Sequence, residues 1–181
     1  MTTVLDQLVE DHHHLRTLLR YLREQISHYD DPSVETDLPC VMEALDYLHG
    51  YPQVYHHPLE DAAFDDLEER AIGDAAVIEK IRSQHHELEQ ETAAVRQLFE
   101  AIYNDQVVPV SRLKETFNRY LDMQFRHLQT EDEEIFPVMA EAFSASDWER
   151  IAAKVDPADD PLFRPGSIET YRELSASLGL G

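Results

Sequence analysis

Asp11-His12-His13-His14-Leu15 is followed downstream by Tyr55-His56-His57-Pro58-Leu59-Glu60-Asp61. The pattern recurs as Gln84-His85-His86-Glu87-Leu88 followed by Arg126-His127-Leu128-Gln129-Thr130-Glu131-Asp132. The two elements are almost equally far apart in both copies, so the chain reads as a helix pair written twice. Each copy supplies His-x-x-Leu and then His-x-x-x-Glu-Asp. Residues i and i+4 lie one turn apart on one helical face. His56 with Glu60, and His127 with Glu131, therefore each present an imidazole and a carboxylate to one point. His12 and His85 complete a set of four imidazoles and two carboxylates facing a common interior. Burying an unpaired carboxylate costs on the order of several kcal/mol, and a cation offsets that cost. Imidazole and carboxylate without thiolate suit iron, manganese or zinc. Six donors divide between two ions with the glutamates as bridges, leaving open positions for small molecules.

A lone histidine in an apolar seam is more often a packing residue, and His-x-x-x-Glu alone decorates many exposed faces. The weight rests on the joint, repeated pattern. His13, His14 and His86 read as flanking residues, and His28 and His49 as peripheral. His57 forms a second i, i+4 pair with Asp61 and is left open, as is the further role of Asp132. A carboxylate-rich site of the Glu-x-x-His type would need that motif in both halves. Glu10-x-x-His13 supplies it once, whereas Gln124 stands in the corresponding place before His127.

Few glycines and few alternating apolar runs predict an all-α chain: an up-down-up-down four-helix bundle with a short helical C-terminal tail. The first helix carries a stripe of Leu5, Leu8, His12, Leu15, Leu19, Leu22 and Ile26. Asp31-Pro32 predicts the start of the second helix, with a bend near Gly50 because Pro52 and Pro58 lie within it. Asp74 caps a third helix bearing Ile78, Ile81, His85, Leu88, Thr92, Val95, Phe99 and Ile102. Ser111 caps a fourth, bearing Leu113, Phe117, Tyr120, Gln124, His127, Glu131, Ile135 and Val138. The expected division is residues 1–143 as the bundle and 144–181 as a tail packed on it. In that tail a Ser146/Glu149 capping box opens a short helix, an irregular stretch runs from Asp156 to Gly166, and Ser167 and Ser177 bracket a last helix.

The chain has 181 residues, with 15 Lys+Arg against 37 Asp+Glu and a formal net charge of −22. So negative a surface repels phosphates, which argues against nucleic acid and anionic membranes and favours cations or a basic protein partner. Hydrophobic residues make up 43% of the chain, enough for a sizeable core. The single Cys40 closes no intrachain disulfide, and no apolar run is long enough to span a bilayer, so a cytoplasmic location is expected.

At these residues, from about Leu5 to Phe143, the sequence resembles the hemerythrin family in its bacterial HHE cation-binding branch. Asp160-Pro161-Leu162-Phe163 with Tyr171 resembles the tail of some members. The resemblance implies a carboxylate-bridged non-haem di-iron centre held by His12, His56, Glu60, His85, His127 and Glu131, with Glu60 and Glu131 bridging. It implies engagement of dioxygen, nitric oxide or peroxide as a sensor, store or protective module. The alternatives are a di-iron oxidase, a peroxidase-like or iron-centre repair enzyme, and a zinc- or iron-stabilised interaction module. Oxygen-carrying members have His-x-x-x-His on the third helix, whereas here Glu89 follows His85. Glu89 then either replaces that ligand or leaves its position open.

Overall fold

The computed structural model describes residues 3–163 and 170–180, and every regular element among them is helical. The first rod is α1 (Val4–Ser27), opened by a reciprocal cap in which Thr3 and Asp6 satisfy each other's backbone amides. The second comprises α2 (Leu38–Tyr51), a π-helical turn (Pro52–His56) and α3 (His57–Glu69). The third is α4 (Ala75–Tyr103), and the fourth comprises α5 (Val110–Thr130), a second π turn (Glu131–Ile135) and α6 (Phe136–Ala142). Short α7 (Ala145–Ala152) and α8 (Arg172–Ser177) follow. α4 packs on both α2 and α5, and α1 also touches both, so the rods enclose one interior.

Several boundaries differ from the sequence expectation. α2 begins at Leu38, not at Asp31-Pro32. Asp31 instead accepts bonds from the amide and hydroxyl of Ser33, closing a local turn, while Asp37 caps α2 through the Cys40 amide. The bend expected near Gly50 takes the form of the first π turn, where the His57 amide bonds to the Pro52 carbonyl. Pro58 has no amide to donate and its ring crowds the carbonyl four residues earlier, so the widened turn absorbs the misfit. The fourth rod, expected to be one helix, is interrupted in the same way. The Phe136 amide bonds to the Glu131 carbonyl immediately before Pro137. Pro109, not Ser111, precedes α5, and Ser144, not Ser146, caps α7 in a box with Asp147. Asp74 caps α4 as expected. Ser167 and Gly166 lie outside the described residues.

Two apolar clusters fill the interior. One gathers Leu15, Leu19, Leu22, Leu45, Phe99 and Phe117; the other gathers Leu8, Leu59, Phe64, Leu67, Ile81 and Met139. The tail is shared between them. α7 seals the second cluster with Trp148 and Ile151, while Leu162 and Leu174 enter the first. The seam histidines lie between the clusters. No described helix is long and apolar enough to cross a membrane.

Candidate metal centre

His12, His56, Glu60, His85, His127 and Glu131 all meet in this intervening layer. Glu60 and Glu131 have no exposed surface, nor do His12 and His56. Glu60 Oε1 lies 3.6 Å from His12 Nε2 and 3.4 Å from His56 Nε2, and its Oε2 lies 3.4 Å from His85 Nε2. Glu131 Oε2 lies 3.3 Å from His12 Nε2 and 3.2 Å from His127 Nε2, with Oε1 at 3.1 Å from His85 Nε2. Each carboxylate thus reaches histidines of both halves. Two donors each about 2.1 Å from one ion, at right angles to tetrahedral angles, stand roughly 3.0 to 3.4 Å apart.

The inner atoms have the marks of cation donors. Nε2 of His12, His56 and His127, both oxygens of Glu60 and Oε2 of Glu131 are buried without a hydrogen-bond partner. Orphaned buried donors and acceptors are costly, and a cation would satisfy all of them together. His12-His56-Glu60 and Glu60-His85-Glu131 each form a group compact enough to hold an ion, with Glu60 common to both.

The outer nitrogens are engaged in a matching pattern. His12 Nδ1 donates to Asp132 Oδ1 at 2.8 Å, and His56 Nδ1 to Asp11 Oδ2 at 3.1 Å. His127 Nδ1 donates to Gln84 Oε1 at 3.4 Å, and His85 Nδ1 faces Asp61 Oδ1 at 3.3 Å. The three hydrogen-bonded acceptors fix the proton on Nδ1 and turn the Nε2 lone pair inward, whereas His85 Nδ1 and Asp61 Oδ1 face each other as a charge pair without a formed hydrogen bond. The residue before each first-helix histidine, Asp11 or Gln84, serves the second-helix histidine of its own half. The aspartate after each glutamate, Asp61 or Asp132, serves the first-helix histidine of the other half.

The electrostatics follow from these neighbours. Burial alone would lower the His12, His56 and His85 pKa values. The facing carboxylates outweigh it, raising His56 to about 9 and the other two well above their ordinary range. Burial holds His127 down at about 4 and His57 well below its usual value. The histidines keep Glu60 and Glu131 below the usual carboxylate range despite burial. A cation entering the layer therefore displaces protons.

For the metal-free protein, stability contributed by His56 is complete below its unfolded value of about 6.5 and is lost as pH rises through about 9. His12 and His85 act in the same sense. His127 acts oppositely: its contribution is present above about 6.5 and is lost as pH falls through about 4, and the lowered Glu60 and Glu131 are likewise lost on the acid side. Thermal unfolding in chelator should show Tm falling from pH 6.5 to 9.5, with a shallower fall in His56→Gln. An alkaline limb identical in wild type and variant would refute this charge assignment.

The remaining histidines separate clearly. His13, His28 and His86 are exposed, and His49 is only partly buried on α2. His14 stacks on Phe163 at 4.2 Å and faces Asp160 at 3.7 Å. Glu10 and Glu89 are exposed, so neither Glu10-His13 nor Glu89 joins the buried cluster. Asp132 sits outside Glu131, on His12. His57, which spacing left open, packs into the layer, stacked on the His85 ring at 4.2 Å.

The family described as hemerythrin HHE cation binding domain matches residues 3–147 of the chain. No curated protein and no solved structure matches it.

Proposed function

The chain belongs to the hemerythrin HHE cation-binding family, and from that premise we propose that it is a non-haem di-iron protein that engages dioxygen, nitric oxide or peroxide as a sensor, store or protective module. The observation that carries this reading is the set of buried, unpartnered Nε2 and Oε atoms converging from three rods, with His85 of the remaining rod closing the cluster at 3.1 Å from Glu131 Oε1. His12 and His56 would hold one ion and His85 and His127 the other, with Glu60 and Glu131 as carboxylate donors available to both. Bound iron would supply reversible one-electron chemistry and open positions for a small ligand. The chain's own residues do the rest: Asp11, Asp61, Gln84 and Asp132 orient the imidazoles, and the two apolar clusters exclude bulk water from either side. We read the ring of helix contacts as an up-down-up-down bundle of residues 1–143, with 144–181 as its tail. The acidic surface suits a basic protein partner better than nucleic acid, and the single buried Cys40 suits the cytoplasm.

The test is elemental metal content per chain after anaerobic ferrous loading and desalting, with absorption recorded before and after air is admitted. About two irons per chain and a new visible absorption in air support the reading. Preferential retention of zinc with no spectral response would favour a structural or interaction module. In the same assay His12→Ala should lose metal while His13→Ala should not, because His12 is buried in the layer and His13 faces solvent. Equal losses would overturn the assignment on α1.

A further inference from the structure

The two copies of the helix pair diverge at one position of the buried layer. Aligning His56 with His127 aligns His57 with Leu128. Leu128 is an ordinary residue of the first apolar cluster. His57 instead places a largely buried imidazole among other imidazoles, 4.2 Å from the His85 ring, 5.5 Å from His127 and 5.8 Å from His56. Replacing an apolar core residue by an imidazole costs desolvation unless the ring acquires a partner of its own.

Geometry supplies one. A ring nitrogen from each of His57, His85 and His127 lies within 4.8 Å of the other two, close enough for all three to reach one ion. The first π turn ends at His56, so His57 opens α3 beside it and both rings face the layer. We propose that His57 is a fifth imidazole donor, binding with His85 and His127 the cation of the second half. This rests on the metal-binding function proposed above. It makes the two ion positions unequal, because the His12-His56 side has an apolar residue where its counterpart to His57 would be. The unequal member also lies toward solvent. His57 and His85 line a surface cleft of about 240 Å³ together with Gln53, Pro58, Asp61 and Arg82. Small molecules entering there meet the three-imidazole position first.

The experiment titrates metal-free full-length protein anaerobically with cobalt(II), reading stoichiometry and visible absorption, which responds to the number of nitrogen donors. Wild type, His57→Leu, His57→Gln and His28→Ala are compared, with helical content checked by circular dichroism. Leucine copies the residue of the other half, glutamine keeps polarity if leucine fails to fold, and His28, exposed at the end of α1 and outside the cleft, is the control. The expected result is two ions in wild type and in His28→Ala. In the His57 variants one ion should bind as before and one at least about tenfold more weakly, since losing even an outer partner of a ligand costs about that much. The absorption of the weakened ion should change as well. Two ions bound with wild-type affinity and spectrum in folded His57 variants would overturn the proposal. Equal weakening of both ions would also overturn it, marking His57 as a packing residue. Failure of wild type itself to bind two ions would instead overturn the metal-binding reading on which the proposal rests.

Discussion

Glu60→Ala is expected to abolish stoichiometric metal retention at both ion positions, not one. Its two oxygens face His12 and His56 on one side and His85 on the other, and neither has a hydrogen-bond partner. Removing it deletes an anionic donor from both compact groups that contain it. The metal-free variant should also lose stability. Histidines held in their protonated form partly by this carboxylate would keep only their other acidic neighbours, so the loss should approach but not exceed the about 3–5 kcal/mol of a buried pair stripped of one partner. Glu60→Gln keeps the shape without the charge and should fall between wild type and Glu60→Ala. Elemental analysis after desalting and chemical denaturation in chelator read the two effects separately. Retention of two ions per chain by Glu60→Ala would remove the bridging role. Exposed Glu89→Ala serves as the neutral comparison.

Asp11→Ala is expected to weaken metal binding by roughly 10- to 100-fold although Asp11 faces the far nitrogen of its histidine, the usual consequence of deleting an outer partner. Asp11 Oδ2 accepts from both His56 Nδ1 and the Tyr51 hydroxyl at 3.1 Å. Without it the His56 ring loses its orientation, and a buried phenol loses its acceptor. Asp11→Asn, which imitates the amide Gln84 opposite His127, should retain more affinity than Asp11→Ala. Competition against a chelator of known affinity measures this directly. An unchanged affinity in Asp11→Ala would show that the His56 ring is held by packing alone.

The inner layer was legible in the sequence because it needs nothing but helical period and repetition. His12, His85 and the two i, i+4 pairs are spaced as any seam residues are, and the repeat distinguishes them from isolated histidines. The outer acceptors were written there too, as Glu60-Asp61 against Glu131-Asp132 and Asp11-His12 against Gln84-His85. Which histidine each one serves depends on how the rods cross, and one-dimensional spacing does not carry that. The π turns were half legible. Pro52 and Pro58 predict an interruption, but a misfit of one amide can be absorbed as a kink, a break or a widened turn. Pro137 has the same relation to Phe136 that Pro58 has to His57, and it marks the second turn. The start of α2 was misread because Asp31-Pro32 has the chemistry of a cap but is followed by a polar stretch with little to bury. His57 could not be placed from periodicity, since a position just after a widened turn no longer follows the 3.6-residue phase.

The ionisable layer between the two apolar clusters has a consequence for how the molecule opens. Each cluster draws side chains from all four rods, so each end has its own reason to stay folded, and charged groups separate them. Bound cations would cross-link the rods at this plane and tie both ends into one cooperative unit. With the cations removed, the ends are coupled through the rods and the hydrogen bonds of the layer alone, and amide exchange is expected to proceed more by separate sub-global openings. Trp148, the single tryptophan, is confined to the second cluster and so reports the opening of that end alone.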